Sequence, residues 1–201
     1  MDPNTLSPAA LVDPLFALTM GLALAATCGL RAFLPLFTLS GLSLAGKVSL
    51  GAGYAWIGTW PAALAFGVAV VLELVGDKFP AVDHALDGLG VVIKPVAATL
   101  ATASMITGMD PLLAAVVGLI TGGVAAEVIH LGKAKLRLAS SAFTGTIGNP
   151  ILSVLEDIAA FFAVLVAVLL PALALFGMSL FALFLVRRWR RKAGMAAASS
   201  A

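Results

Sequence analysis

Arg31 stands about midway along the first apolar run of this sequence, four residues before Pro35. Proline has no N–H, so the carbonyl of Arg31 loses its helical partner, and a guanidinium and an open carbonyl fall together inside the protein. An ionised side chain costs roughly 2.5–3.5 kcal/mol to place in hydrocarbon and therefore faces a partner, a cavity or the interface. For Arg31 two readings fit equally: a contact for an anion or phosphate, or a salt bridge to an acid on another helix. Glu156 and Asp157 raise the same question. Adjacent helical residues point about 100° apart, so the two cannot serve one partner. One is expected to meet Arg31 or Lys94 while the other lines a cavity as a proton carrier; the alternative is that both are solvated near the interface.

Lys94-Pro95 and Asn149-Pro150 each follow glycines, Gly88 and Gly90 in the first case and Gly145 and Gly148 in the second. Glycine and proline at matching places in two segments point to discontinuous helices that line a binding site, whereas a proline in the first turn of a helix needs no such reading. The first-turn reading is favoured for Pro95 and the break for Pro150, because Ser140, Ser141, Thr144, Thr146 and Ser153 make its surroundings polar. Arg31, Lys94, Asn149 and Ser153 are thus the candidate substrate contacts, and Glu73, Glu127, Glu156 and Asp157 the candidate proton-coupling or salt-bridging acids.

Other constellations carry less. Glu73 with Asp77, and Asp83 with Asp87, are acidic pairs at i,i+4 that could hold a divalent cation or an amine. Lys78 and His84 stand close enough to neutralise part of that charge, and a solvated interfacial helix is the favoured reading. Glu127 and His130 have the Glu-x-x-His spacing of di-iron bundles, but the counterpart after Glu73 is Gly76, so no metal centre is expected. There is no Gly-rich phosphate loop, no Gly-x-Ser-x-Gly elbow and no His-Glu-x-x-His helix. Membrane alcohol phosphotransferases frame their aspartates with glycines, and Phe79 stands where one would be wanted. The chain is expected to be no enzyme and to need no cofactor.

The elements that must position these residues follow from composition. Of 201 residues 61% are hydrophobic and 11% charged, against about 45–50% and 25% in soluble domains, so the charges cannot cover a water-facing surface. The expected fold class is all-α: a polytopic transmembrane helical bundle of about six spans. Spans are expected at residues 14–40, 61–75, 90–107 and 111–131, with two more between 138 and 186 that break at Pro171. Ala81, Val82, Ala85, Leu86 and Leu89 recur at helical spacing among charges, which predicts a short interfacial helix before the third span. Tyr54, Trp56 and Trp60 suit the headgroup layer. Residues 1–13 form an N-terminal tail without the basic segment of a signal peptide, residues 14–187 the membrane domain, and residues 188–201 a basic tail.

The basic residues give an orientation. Lys78, the group Lys133, Lys135 and Arg137, and the group Arg187, Arg188, Arg190, Arg191 and Lys192 fall on one side of this scheme, with only Lys47 on the other. The positive-inside rule then puts both termini in the cytoplasm. The last group is expected to lie on anionic lipid headgroups, with no nucleic-acid partner. Homo-oligomerisation stays open. The lone Cys28 excludes an intramolecular disulfide.

Placing Glu73 on Glu127 brings Lys94-Pro95 within one residue of Asn149-Pro150. This spacing of about 54 residues suggests a parallel repeat of two hairpins, residues 61–108 and 111–170.

The run Glu73, Asp77-Lys78, Pro80, Asp83, Asp87, Lys94-Pro95, then Thr144-Gly145, Asn149-Pro150, Ser153 and Glu156-Asp157, resembles the bacterial membrane family known as domain of unknown function 4126. Gly29-Leu30-Arg31 with Pro35 resembles that family's opening motif, and at the position of Lys94 the family often has an arginine. The resemblance covers most of residues 15–165. It implies a multi-pass inner-membrane protein and no established activity. Two functions fit these residues: a small carrier of a polar or anionic solute or lipid headgroup, proton-coupled through an acid, or a non-catalytic scaffold whose intramembrane charges are structural salt bridges.

Overall fold

A computed structural model describes residues 8–144 and 149–171 and isolated positions from 173 to 187; the side chains of residues 8–15, 80–85, 87, 139 and 141–150 are not described. The described residues form helices without a strand: α1 (Pro8–Cys28), α2 (Phe33–Leu44), a 3-10 helix (Ala52–Gly58), α3 (Trp60–Gly76), α4 (Pro80–Met105), α5 (Pro111–Gly118), a π-helical turn (Leu119–Gly123), α6 (Val124–Thr144) and α7 (Asn149–Leu169).

Helix starts follow local chemistry. Thr59 caps α3 by accepting from the Ala62 N–H, and Pro61 sits in the first turn, where its missing donor costs nothing. The Asp110 carboxylate accepts from the N–H groups of Leu112 and Leu113, at 2.9 and 3.2 Å, and starts α5. The aromatic loop is folded into the 3-10 helix. Ser40 Oγ donates to the Ile57 carbonyl at 2.6 Å, and Tyr54 Oη to the Pro111 carbonyl at 2.8 Å.

Several sequence expectations are corrected. The first span is two helices, because the chain leaves helical geometry between Cys28 and Phe33, and Pro35 falls in the first turn of α2. The interfacial helix and third span are one helix, α4, with Pro95 in its interior and Thr99 Oγ1 donating to the Pro95 carbonyl at 2.7 Å. Pro150 is the second described residue of α7, and residues 145–148, where the break is expected, lie outside the described residues. The fourth span continues through Lys133 and Arg137 to Thr144, so these residues lie in a helix and not in a loop. Three described helices are long and apolar enough to cross a membrane, or four if the 3-10 helix and α3, bent by 64°, count as one span. That is fewer than the six expected: the first expected span is two helices, of which α2 has only 12 residues, and the side chains of residues 8–15 and most residues after Pro171 lie outside the description.

Small residues bring the helices together. Gly118 and Gly122, one turn apart, press against α4: a Cβ on Gly118 would lie 2.7 Å from the Thr99 carbonyl oxygen, and one on Gly122 2.8 Å from that of Ala98. Gly21 meets Met105 in the same way, and Gly29 presses on Ala126 and Ile129 of α6. Without a hydrophobic drive between helices in lipid, such close approach supplies the van der Waals contact that holds them. The α1 core residues Ala23, Leu24 and Ala25 and the α4 residues Ala97, Ala98 and Ala101 are buried accordingly. Outward, α3 exposes Leu64, Val68, Leu72 and Val75, and α7 exposes Ile151, Ile158, Phe161 and Leu169, as lipid-facing surfaces require.

This packing predicts that Gly122→Ala costs about 1–3 kcal/mol of unfolding free energy in detergent micelles. Gly88→Ala, whose Cβ meets nothing within 4 Å, should instead gain about 0.5–1 kcal/mol; equal effects at the two positions would refute the close-packing account.

Candidate functional site

The joint between α1 and α2 organises the site. Arg31 Nη1 lies 2.5 Å from Asp77 Oδ2 and donates to the backbone carbonyl of Glu73 at 3.2 Å, while Nη2 pairs with Asp157 Oδ1. The N–H groups of Ala32 and Phe33, which open α2, donate to the Glu73 carboxylate at 2.9 and 3.3 Å. A helix start has unpaired donors and a positive dipole end, so a carboxylate there is stabilised twice over.

From Arg31 the contacts run outward in both directions. Asp77 Oδ2 also accepts from Arg137 Nη2 at 3.3 Å. Arg137 holds Glu156 through Nε at 3.3 Å and Nη2 at 2.8 Å, and Lys133 Nζ lies 3.1 Å from the same carboxylate. On the other side Lys78 Nζ donates to Asp157 Oδ2 at 2.7 Å and to Ser153 Oγ at 2.8 Å. The result is one chain of alternating sign: Lys78, Asp157, Arg31, Asp77, Arg137, Glu156, Lys133. Glu73 beside Arg31 supplies the fourth negative charge against four positive ones.

Helical spacing makes this convergence available. Glu73 and Asp77 are one turn apart, as are Lys133 and Arg137 on α6, and Ser153 and Asp157 on α7, so each helix presents its polar groups on one face. Arg31, Asp77, Lys133, Arg137 and Glu156 are all buried. Charges removed from water need pairing of this quality, because losing one partner leaves the other stranded.

Some sequence-derived candidates join the chain and some do not. Arg31 meets Asp157, one of the acids considered for it, and Ser153 accepts from Lys78. Glu156 pairs with Lys133 and Arg137, not with Lys94. Lys94 lies apart, its Nζ 2.8 Å from His130 Nδ1. Which of the two donates depends on the tautomer of His130. Glu127, one turn before His130, has its buried Oε2 without a hydrogen-bond partner among the described residues. The side chains of Asn149, Asp83, His84 and Asp87, and the basic tail beyond Arg187, lie outside the described residues. Among the described residues no three His, Cys, Asp or Glu side chains are grouped to hold a metal ion.

Sequence reasoning missed Asp77, Lys133 and Arg137 as members of an interior network. By composition they read as interfacial charges beside the ends of spans. The available signal is the i,i+4 spacing of Lys133 and Arg137 in a segment, residues 124–144, without proline.

Fold and site together define an all-helical, membrane-type bundle with an ion-pair chain through its interior. The chain belongs to the family described as domain of unknown function (DUF4126), which matches residues 18–191 and takes in every residue of the network. No curated protein and no solved structure matches it.

Asp77 is the shared acid between two buried arginines. Asp77→Asn is therefore expected to cost about 3–5 kcal/mol of unfolding free energy. Lys78→Ala, at the half-exposed end of the chain, should cost under about 1 kcal/mol. Unfolding of both variants in the same micelles checks the ranking, and a reversed order would show that Asp77 is not the central link.

Proposed function

We propose that the protein is a small membrane carrier for a polar or anionic solute or lipid headgroup. The joint between α1 and α2 is its substrate contact, and the ion-pair chain is its closure on the side of the basic tail. The observation that supports this reading is Arg31, buried at a helix break with two guanidinium nitrogens paired and Nε without a partner among the described residues. Half-helix ends and intramembrane arginines recur where transporters contact anions.

The chain of pairs suits a closure. A buried ion pair is close to neutral in net stability, so a run of them adds little that apolar packing could not. Each acid of the chain is held by two cations, so one contact can be exchanged while the other persists. Proton coupling is assigned to Glu127, since a carboxyl that binds and releases a proton needs an oxygen not committed to a cation, whereas Glu156 and Asp157 are committed. Lys94, Asn149 and Ser153 remain the polar contacts along the path. The expected location is the bacterial inner membrane, both termini cytoplasmic and the tail on anionic headgroups.

A scaffold is the second reading, favoured by the mutual neutralisation of the network's charges. Flux into proteoliposomes, screened over small anions, separates the two. Arg31→Ala should abolish flux and Glu127→Gln should remove its dependence on a pH gradient; unchanged flux in Arg31→Ala and Glu156→Gln would sink the carrier assignment. Exchanging Arg31 and Asp157 should recover stability without flux if Arg31 contacts substrate, and recovery of both would make the charges structural.

A further inference from the structure

The network is buried except at one end. The side chains of Lys78 and Asp157 are 37% and 22% exposed, while Arg31, Asp77, Lys133, Arg137 and Glu156 are sealed off. Lys78 directly follows the last turn of α3, and Ser153 and Asp157 lie in the first two turns or so of α7. The described parts of α3 and α7 both pack on α2 but not along each other. What ties them is the Lys78 ammonium, reaching across to Ser153 and Asp157.

The apolar side chains next to these residues in sequence are exposed. Val75 and Phe79 near Lys78, and Val154 and Ile158 next to Ser153 and Asp157, are about half exposed or more. Helix ends lie near the headgroup layer, so an exposed end at this depth meets lipid phosphates, with acyl chains alongside the apolar side chains. A free anion would have to shed its hydration to pass those side chains, whereas a lipid headgroup is already there. At this end the Asp157 carboxylate sits between two cations, Lys78 and Arg31, an arrangement that suits a phosphate equally well. Arg31 Nε adds a buried donor without a partner among the described residues, and Ser153 Oγ a hydroxyl.

We propose that the exposed end of the network, where Lys78 joins α3 to α7, is a lateral entry site for the phosphate-bearing headgroup of a membrane lipid, bound by Lys78, Ser153 and Arg31 in the place held by the Asp157 carboxylate. This rests on the carrier reading and narrows its cargo from any anion to a lipid.

Native mass spectrometry of the full chain in detergent, titrated with dioleoyl phosphatidylglycerol, dioleoylglycerol or inorganic phosphate, tests it without measuring transport. Phosphatidylglycerol should bind and dioleoylglycerol, which lacks the phosphate, should not. Lys78→Ala should weaken phosphatidylglycerol binding about tenfold, and Asp157→Asn, which removes the competing charge, should strengthen it by a similar factor. Binding by the basic tail is the same in all variants and sets the baseline. If Asp157→Asn does not fold, Lys78→Ala alone decides, since Lys78 is at the surface. Unchanged lipid affinity in Lys78→Ala overturns the site, as does displacement of the lipid by inorganic phosphate at comparable concentration. Lipid binding that responds to these variants without any flux would remove the carrier and keep the site. Flux of free anions with unresponsive lipid binding would do the reverse.

Discussion

Arg31 and Glu73 hold the α1–α2 joint by a reciprocal exchange. The chain stops being helical after Cys28 and starts again at Phe33, which leaves backbone donors without helical partners. The Glu73 carboxylate accepts from two of them, and the Glu73 carbonyl, at the end of α3, accepts in turn from Arg31. The break in one helix and the end of another thus satisfy each other. Asp77, one turn beyond Glu73, then meets the same guanidinium, and through it Arg137 and Glu156 are drawn in. Without the break Arg31 would continue a helix and face one direction; with it, the guanidinium reaches α3 and α7 together.

The two halves of the bundle are held by different physics. Between α1, α4 and α5 the contacts are glycine, alanine and threonine at near-backbone distance, where adding one methyl group produces overlap. Such packing has one good arrangement and resists sliding. Among α3, α6 and α7 the contacts are long charged side chains, each acid serving two cations. Those contacts lengthen or change partner at modest cost, because buried pairs sit near balance between desolvation and attraction. The alanine-rich side is therefore the frame and the ionic side the part able to rearrange.

What could be read from the sequence followed from where a charge is unexpected. Arg31, Glu73, Glu156 and Asp157 drew attention as ionisable groups in or beside apolar runs, and all four lie in the network. Pro35 marked the neighbourhood of the break, though the partner for the exposed N–H groups is a carboxylate 40 residues away in sequence, which no local pattern contains. Lys133 and Arg137 were misplaced because counting basic residues for orientation assumes that they mark the ends of spans. Here α6 carries them inward. Gly118 and Gly122 have the small-x-x-x-small spacing that predicts close helix packing, so that contact is legible in the sequence. The expectation of about six spans came from dividing apolar length by bilayer thickness, which has no means of registering a helix broken at its charged residue.

The arrangement of α6 links the two polar groups of the protein. Glu127, His130, Lys133 and Arg137 follow at intervals of three, three and four residues, so they lie along one stripe of the helix. The N-terminal part of the stripe meets Lys94 on α4; the C-terminal part holds Glu156 on α7 and Asp77 after α3. Ten residues separate Glu127 from Arg137, about 15 Å along a helix, too far for direct interaction between them but carried on the same rod. A displacement or rotation of α6 therefore alters the Lys94–His130 contact and the shared Asp77 contact in one movement. A change of charge at Glu127 would act on that rod at one end, and the exchange of partners around Asp77 would be read out at the other. In the proposed carrier, coupling a proton to the closure would then need no continuous relay of side chains, only a helix stiff enough to transmit a shift.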